Sequence, residues 1–84
     1  MNQNNPVGLD PEWVRIGETL RTIRESRGLL LGECASAMDI SYAYLSNIEA
    51  GRKRLTPRLL TRAVEVLGVR PIAIIRPGYF EDAA

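Results

Sequence analysis

Eighty-four residues, 45% of them hydrophobic, make one small domain near the lower size limit for a self-sufficient core. With no histidine, a single cysteine (Cys34), no glycine-rich phosphate loop and no carboxylate pair at a catalytic spacing, the composition argues against an enzyme, a metal site and an internal disulfide. The net charge of +1 hides an asymmetry: residues 1–51 hold four arginines against seven carboxylates, whereas residues 52–76 hold seven basic groups against Glu65 alone. No apolar run approaches the length of a membrane span, and the polar, uncharged start (Asn2, Gln3, Asn4, Asn5) lacks the basic opening of a secretory signal, so a reducing cytoplasm is the expected compartment.

Residues 1–9 read as a flexible arm. Asp10-Pro11 supplies an N-cap and a proline at the first helical position. Trp13, Ile16, Leu20 and Ile23 then share one face, and Gly28 supplies a stop, which predicts a first helix over residues 11–27. A second helix is expected over residues 31–38, burying Leu31 or Cys34 with Ala35 and Met38. Ser41 caps a third helix over residues 42–50, with Leu45 and Ile48 inward and Gly51 as its end. Thr56-Pro57 opens a fourth helix over residues 57–67, whose apolar face is Leu60, Ala63, Val64 and Leu67.

After Gly68 the pattern changes. Ile72, Ala73, Ile74 and Ile75 are apolar, mostly β-branched, and bounded by Pro71 and Pro77-Gly78, which predicts a short strand ending in a turn. A lone strand leaves its backbone groups unpaired, so the expectation is that it pairs with its copy across a dimer. The alternative is an extended tail packed on its own helices.

The second and third helices, separated by the Asp39-Ile40-Ser41 break, have the layout of a helix-turn-helix, in which one helix braces and the next enters the DNA major groove. Gly28-Leu29, Cys34-Ala35, Ser41, Tyr44-Leu45-Ser46, Ile48-Glu49 and Gly51 together resemble the lambda-repressor-like, or XRE-family, helix-turn-helix domain over roughly residues 12–68. The expected architecture is therefore mainly α: a four-to-five-helix domain over residues 10–69, followed by the strand and tail of residues 70–84 as dimerisation element, through Ile72, Ala73, Ile74 and Ile75.

The resemblance implies roles for particular residues. Arg24, late in the first helix, is expected to form a structural ion pair with Glu49. Tyr42, Ala43, Ser46 and Asn47 fall at the family's base-reading positions. Asn47 can donate to and accept from one adenine edge, and Ala43 suits a thymine methyl. Arg52, Lys53 and Arg54 in the following loop, with Arg58 one turn into the next helix, fall where the family grips phosphate, a contact that positions without reading sequence. Tyr44 either braces the second helix or donates to a phosphate.

The sequence also departs from the family. Where the second helix usually opens with a polar cap and glutamine, this chain has Leu30 and Leu31, and Gly32 weakens the helix start by roughly 1 kcal/mol relative to alanine. Asp39 stands where glycine is common, and aspartate tolerates the left-handed conformation. The third helix carries no Arg, Lys or Gln, so readout leans on Asn47, methyl contacts and DNA shape.

The resemblance thus implies a cytoplasmic, nucleoid-associated homodimer that binds double-stranded DNA at a pseudo-palindromic operator, most commonly as a repressor, with no cofactor and no membrane partner. The competing reading is an antitoxin or adaptor that binds a toxin or other protein through residues 29–31, Tyr79, Phe80, Glu81 and Asp82.

Overall fold

The computed structural model describes residues 8–76, and among these it contains five helices and no strand. They are α1 (Pro11–Ser26), α2 (Leu31–Ala37), α3 (Tyr42–Glu49), α4 (Pro57–Leu67) and α5 (Pro71–Ile75). Most of the expected arm, the Pro77-Gly78 turn and the tail residues Tyr79, Phe80, Glu81 and Asp82 lie outside the described residues.

Three helices start on the caps that the sequence offers. Asp10 Oδ1 accepts from Glu12 N (2.8 Å), Ser41 Oγ from Tyr44 N (3.0 Å) and Thr56 Oγ1 from Leu59 N (3.3 Å), each satisfying one amide that lacks an intrahelical partner. α2 starts differently. Its N-cap, Leu30, has no side-chain acceptor, but Leu30 N donates to Glu33 Oε1 at 2.8 Å, so the helix keeps the returning half of a capping box. α2 closes on Asp39, at φ +62°, with Ile40 N donating back to Ala35 O at 3.0 Å. A non-glycine residue is tolerated in this left-handed position because the aspartate side chain, a carboxylate on a single methylene, is short and polar.

The core draws on every helix: Leu20 and Ile23, Cys34 and Ala35 with Met38, Leu45 and Ile48, Leu59, Ala63 and Leu67, and Ile74. On α4 the buried face is turned from the one expected. Leu59, Ala63 and Leu67 point inward at i, i+4 and i+8, while Leu60 and Val64 sit on the edge of the apolar stripe. On α1, Trp13 and Ile16 are only partly buried, and the inward face is completed by Gly17 and Arg24.

The predicted C-terminal strand is a helix. Ile72, Ala73, Ile74 and Ile75 lie in α5, with Ala73 and Ile74 buried and Ile75 exposed. A helix pairs part of its backbone internally, as Arg76 N to Ile72 O at 3.1 Å shows, and so removes the need for a partner strand. Proline at N1 favours the helical start, and packing on α1 and α4 outweighs the β-preference of isoleucine. Arg15 Nη2 donates to Ile75 O at 2.6 Å, anchoring the end of α5 to α1. The expected strand is therefore not found among the described residues, and Ala73 and Ile74 are buried within their own chain.

Two glycines set how closely α1 approaches α3. A Cβ on Gly17 would meet the Ile48 carbonyl oxygen and stand 2.7 Å from that of Glu49. At Gly51, where φ is +82°, it would stand 2.8 Å from Val14 Cα. Gly68 also has a positive φ, +70°, but faces open space. Gly17→Ala and Gly51→Ala are expected to lower unfolding free energy by at least the roughly 1–3 kcal/mol of an overpacked core, and Gly68→Ala by the roughly 1–2 kcal/mol of left-handed strain alone, as read by urea denaturation.

Cys34 is fully buried, and its Sγ lies 3.9 Å from Met38 Sδ. Burial pushes its thiol above the ordinary thiol range; the nearby Glu49 carboxylate adds to this and Arg24 opposes it. The folded chain therefore holds this proton more tightly than the unfolded chain. Below the ordinary thiol range both states are protonated and this contribution is fully present and constant; it is lost as pH rises from the ordinary thiol range through the higher folded value. In urea titrations at alkaline pH, wild type is expected to lose stability with pH more steeply than Cys34→Ala.

Candidate nucleic-acid interface

The site is built on α3, which α1 and α2 support from behind. Leu45, Ile48 and Glu49 face inward, which at 3.6 residues per turn leaves Ala43, Ser46, Asn47 and Ala50 around the opposite side. Tyr42 is 63% exposed at the helix start and Ala43 is exposed beside it, while Ser46 and Asn47 are half-buried. Tyr42 and Ser46 border a shallow groove with Arg21 and Leu31. Tyr44 lies on the other flank, bordering a groove with Thr56, Arg58 and Arg62, into which Asp39 also faces.

Arg24 and Glu49 lock the inward side of this helix to α1. Arg24 Nε donates to Glu49 Oε2 at 2.7 Å and Nη2 to Oε1 at 3.1 Å, a two-pronged pair with both residues buried. The remaining Nη1 donates to Leu29 O at 2.7 Å, so the same guanidinium also holds the α1–α2 connection. Hydrogen bonding to Glu49 raises the Arg24 pKa further above its already high value, against the opposing cost of burial. Glu49 is thus buried with both carboxylate oxygens held by Arg24, at the floor of the groove that Tyr42 and Ser46 border.

The cations are divided between structure and surface. Arg27 Nε donates to Leu67 O at 2.9 Å and Arg62 Nη1 to Met38 O at 3.1 Å, each meeting a carbonyl at the end of a helix. The basic stretch of residues 52–76 therefore narrows as a surface feature. Residues 52–58 hold Arg52, Lys53, Arg54 and Arg58 with no carboxylate, and all four are exposed. Arg54 and Arg58 make no side-chain hydrogen bond or ion pair among the described residues. Lys53 Nζ stands 5.9 Å from the centre of the Tyr44 ring, near the outer reach of a cation–π contact. Tyr44 is 36% exposed and turned toward this loop.

Asn47 is more engaged than its sequence position suggested. Its Oδ1 accepts from Arg52 Nε at 2.8 Å, and its backbone oxygen accepts from Arg52 N at 2.9 Å and Lys53 N at 3.2 Å. The residue ties α3 to the basic loop. Sequence reading gave no sign of this pairing, because it depends on the chain reversing at Gly51. Gly17 had a fainter signal, a glycine at mid-helix where alanine is usually better by about 1 kcal/mol.

At the start of α2 the loss of a polar clamp is visible. Leu30 is 69% exposed, and the amide that a phosphate would otherwise meet already donates to the Glu33 carboxylate. Leu29 and Leu31 pack against the core, so only Leu30 remains of the apolar patch expected at residues 29–31.

Two helices joined by residues 38–41, the second held outward by a buried ion pair, define a helix-turn-helix arrangement. The chain belongs to the helix-turn-helix domain family, whose model matches residues 15–73. This bears out the likeness to lambda-repressor-like domains, and the family is not one of enzymes. The chain is 35% identical over 60 residues to the transcriptional regulator ClgR of Mycobacterium tuberculosis, a match covering 71% of this chain and 53% of the relative. It thus spans about half the length of that curated relative. The crystal structure of the clp gene regulator ClgR from Corynebacterium glutamicum is 32% identical, with a TM-score of 0.74 over 77% of this chain and 84% of that one. The restriction-modification controller protein C.AhdI from Aeromonas hydrophila, at 20% identity, shares the fold with a TM-score of 0.75 over 77% of this chain and 98% of its own. Among the described residues, no helix is long and apolar enough to cross a membrane.

Removing one partner of the buried pair leaves the other charge stranded. Arg24→Ala is expected to destabilise the domain by about 3–5 kcal/mol, far more than Arg21→Ala, whose pair with Glu25 is exposed. Denaturant unfolding of both variants checks the ranking.

Proposed function

We propose that the chain is a sequence-specific, double-stranded DNA-binding regulator of transcription that acts as a homodimer on a pseudo-palindromic operator, chiefly as a repressor. The observation that carries this reading is the outward side of α3, fixed from behind by the Arg24–Glu49 pair and bordered by a loop of exposed cations with no carboxylate. Tyr42, Ala43, Ser46 and Asn47 are assigned to base edges, and Tyr44, Arg52, Lys53, Arg54 and Arg58 to phosphates. The family membership and the relatives named as transcription regulators support the same assignment.

Dimerisation follows from the size of the reading surface. An eight-residue helix contacts a few base pairs, and two copies about 34 Å apart read successive major grooves. The grip on phosphate shifts to the loop after α3, since the start of α2 offers a leucine and a carboxylate. A shared set of six to eight phosphate contacts makes affinity fall steeply with salt, by roughly 10³-fold between low and moderate salt. The single exposed leucine at the start of α2 gives little support to a protein partner as the main target.

Selection from a random duplex library tests the reading. Two inverted half-sites about one helical turn apart are expected, and a promoter carrying them is expected to lose transcription when the protein is present. Arg54→Ala is expected to weaken all sequences alike and to lower the salt slope by about one per protomer. Recovery of no motif overturns the DNA-binding reading, a single half-site overturns the dimer, and increased transcription overturns repression.

A further inference from the structure

The pairing of Asn47 with Arg52 bears on how the third helix reads bases, and the inference drawn from it rests on the DNA-binding reading above. We propose that Arg52 is a positioning residue that fixes which edge of Asn47 faces the DNA, so that Asn47 reads as a hydrogen-bond donor and not as a two-way adenine reader.

Three observations converge. First, a guanidinium has donors and no acceptor, so the Asn47 atom 2.8 Å from Arg52 Nε is the amide oxygen. The opposite corner of the amide is then its NH2 group. Second, the backbone holds Arg52 in place independently of that bond. With Gly51 at φ +82°, Gly51 N donates to Ile48 O at 3.0 Å and Arg52 N to Asn47 O at 2.9 Å, the paired closing bonds that fold a chain back over the last helical turn. Third, Gly51 is pinned against Val14, so this reversal is set by the packing of α1 on α3.

The consequence for recognition follows from the donor and acceptor pattern of the major groove. Reading adenine with both ends of an asparagine requires the amide oxygen to accept from the base N6 amino group. Here one of that oxygen's two lone pairs is taken by a cation, which turns the oxygen toward the loop and places positive charge beside the spot where the N6 amino group would donate, so the two-ended adenine contact is disfavoured. The free NH2 group instead matches edges rich in acceptors, namely guanine O6 and N7 or thymine O4. Arg52 consequently influences sequence preference without touching a base, in contrast to Arg54 and Arg58, whose side chains have no partner within the described domain.

The test is library selection with the full chain as wild type, Asn47→Ala, Arg52→Ala and the double variant, with Arg54→Ala as the control for phosphate contact. The Asn47–Arg52 bond is at the surface, so the Arg52→Ala domain is expected to fold, which circular dichroism checks. The base pair read by Asn47 is the one whose preference disappears in Asn47→Ala. Wild type is expected to select guanine or thymine there. Arg52→Ala is expected to shift the ratio of these bases to adenine at that one position by roughly 5-fold or more, the low end of a single base contact. The double variant is expected to match Asn47→Ala at that position, differing only in overall affinity.

The inference is overturned if Arg52→Ala weakens every sequence by one common factor, as Arg54→Ala does, or if wild type selects adenine at the Asn47 position. Either result leaves DNA binding itself intact. Should Arg52→Ala fail to fold, the wild-type preference at the Asn47-dependent position decides alone. Failure of the wild type to select any motif removes the DNA-binding reading and this inference with it.

Discussion

The close crossing of α1 and α3 is the constraint on which the rest of the structure depends. Gly17 allows the carbonyls of Ile48 and Glu49 to lie against the backbone of α1, and Gly51 lets the chain leave α3 against Val14. At that separation the Arg24 guanidinium reaches both oxygens of Glu49 and also Leu29 O. A side chain at either glycine would force the helices apart and misalign a buried ion pair whose value depends on good geometry. One crossing thereby fixes the inward side of α3, the path of the α1–α2 connection and the exit of the basic loop.

Arginine does two kinds of work in this small domain. Arg15, Arg24, Arg27 and Arg62 reach main-chain carbonyls of Ile75, Leu29, Leu67 and Met38, knitting helix ends and connections together where a core of this size has few side chains to do so. Arg54 and Arg58 stand outward. The sequence-wide charge of +1 conceals the division, and even the basic second half overstates the surface field, since Arg62 is turned into the fold. Four of the exposed cations, Arg52, Lys53, Arg54 and Arg58, lie together in the chain directly after α3.

That grouping also accounts for how the domain accommodates its unusual second helix. Leu30 cannot cap, and Glu33 takes its amide, so α2 remains a helix while its start loses affinity for anions. In the proposed function the phosphate-facing role falls to the loop after α3, where the Asn47–Arg52 contact would bring base reading and backbone grip into one hydrogen-bonded unit. Exposed Tyr42 and Ala43 precede that unit on the same helix, giving α3 an apolar leading end and a polar trailing one.

Local signals were enough to reveal much of this protein from its sequence. Asp10, Ser41 and Thr56 cap helices by contacts within a few residues, so their meaning survives without knowledge of the fold. The spacing from Gly28 to Gly51 named the family for the same reason, and Asp39 marked its turn through its tolerance of a left-handed backbone. Features that join distant segments were settled only by tertiary structure. Ile72 to Ile75 carry the local preferences of a strand, and it is packing on α1 and α4 that makes them a helix. Leu59 rather than Leu60 faces inward because the neighbouring helices set the rotation of α4. The fit at Gly17, the carbonyl contacts of Arg27 and Arg62 and the pairing of Asn47 with Arg52 share that origin, since each needs a partner that the chain brings near only by folding.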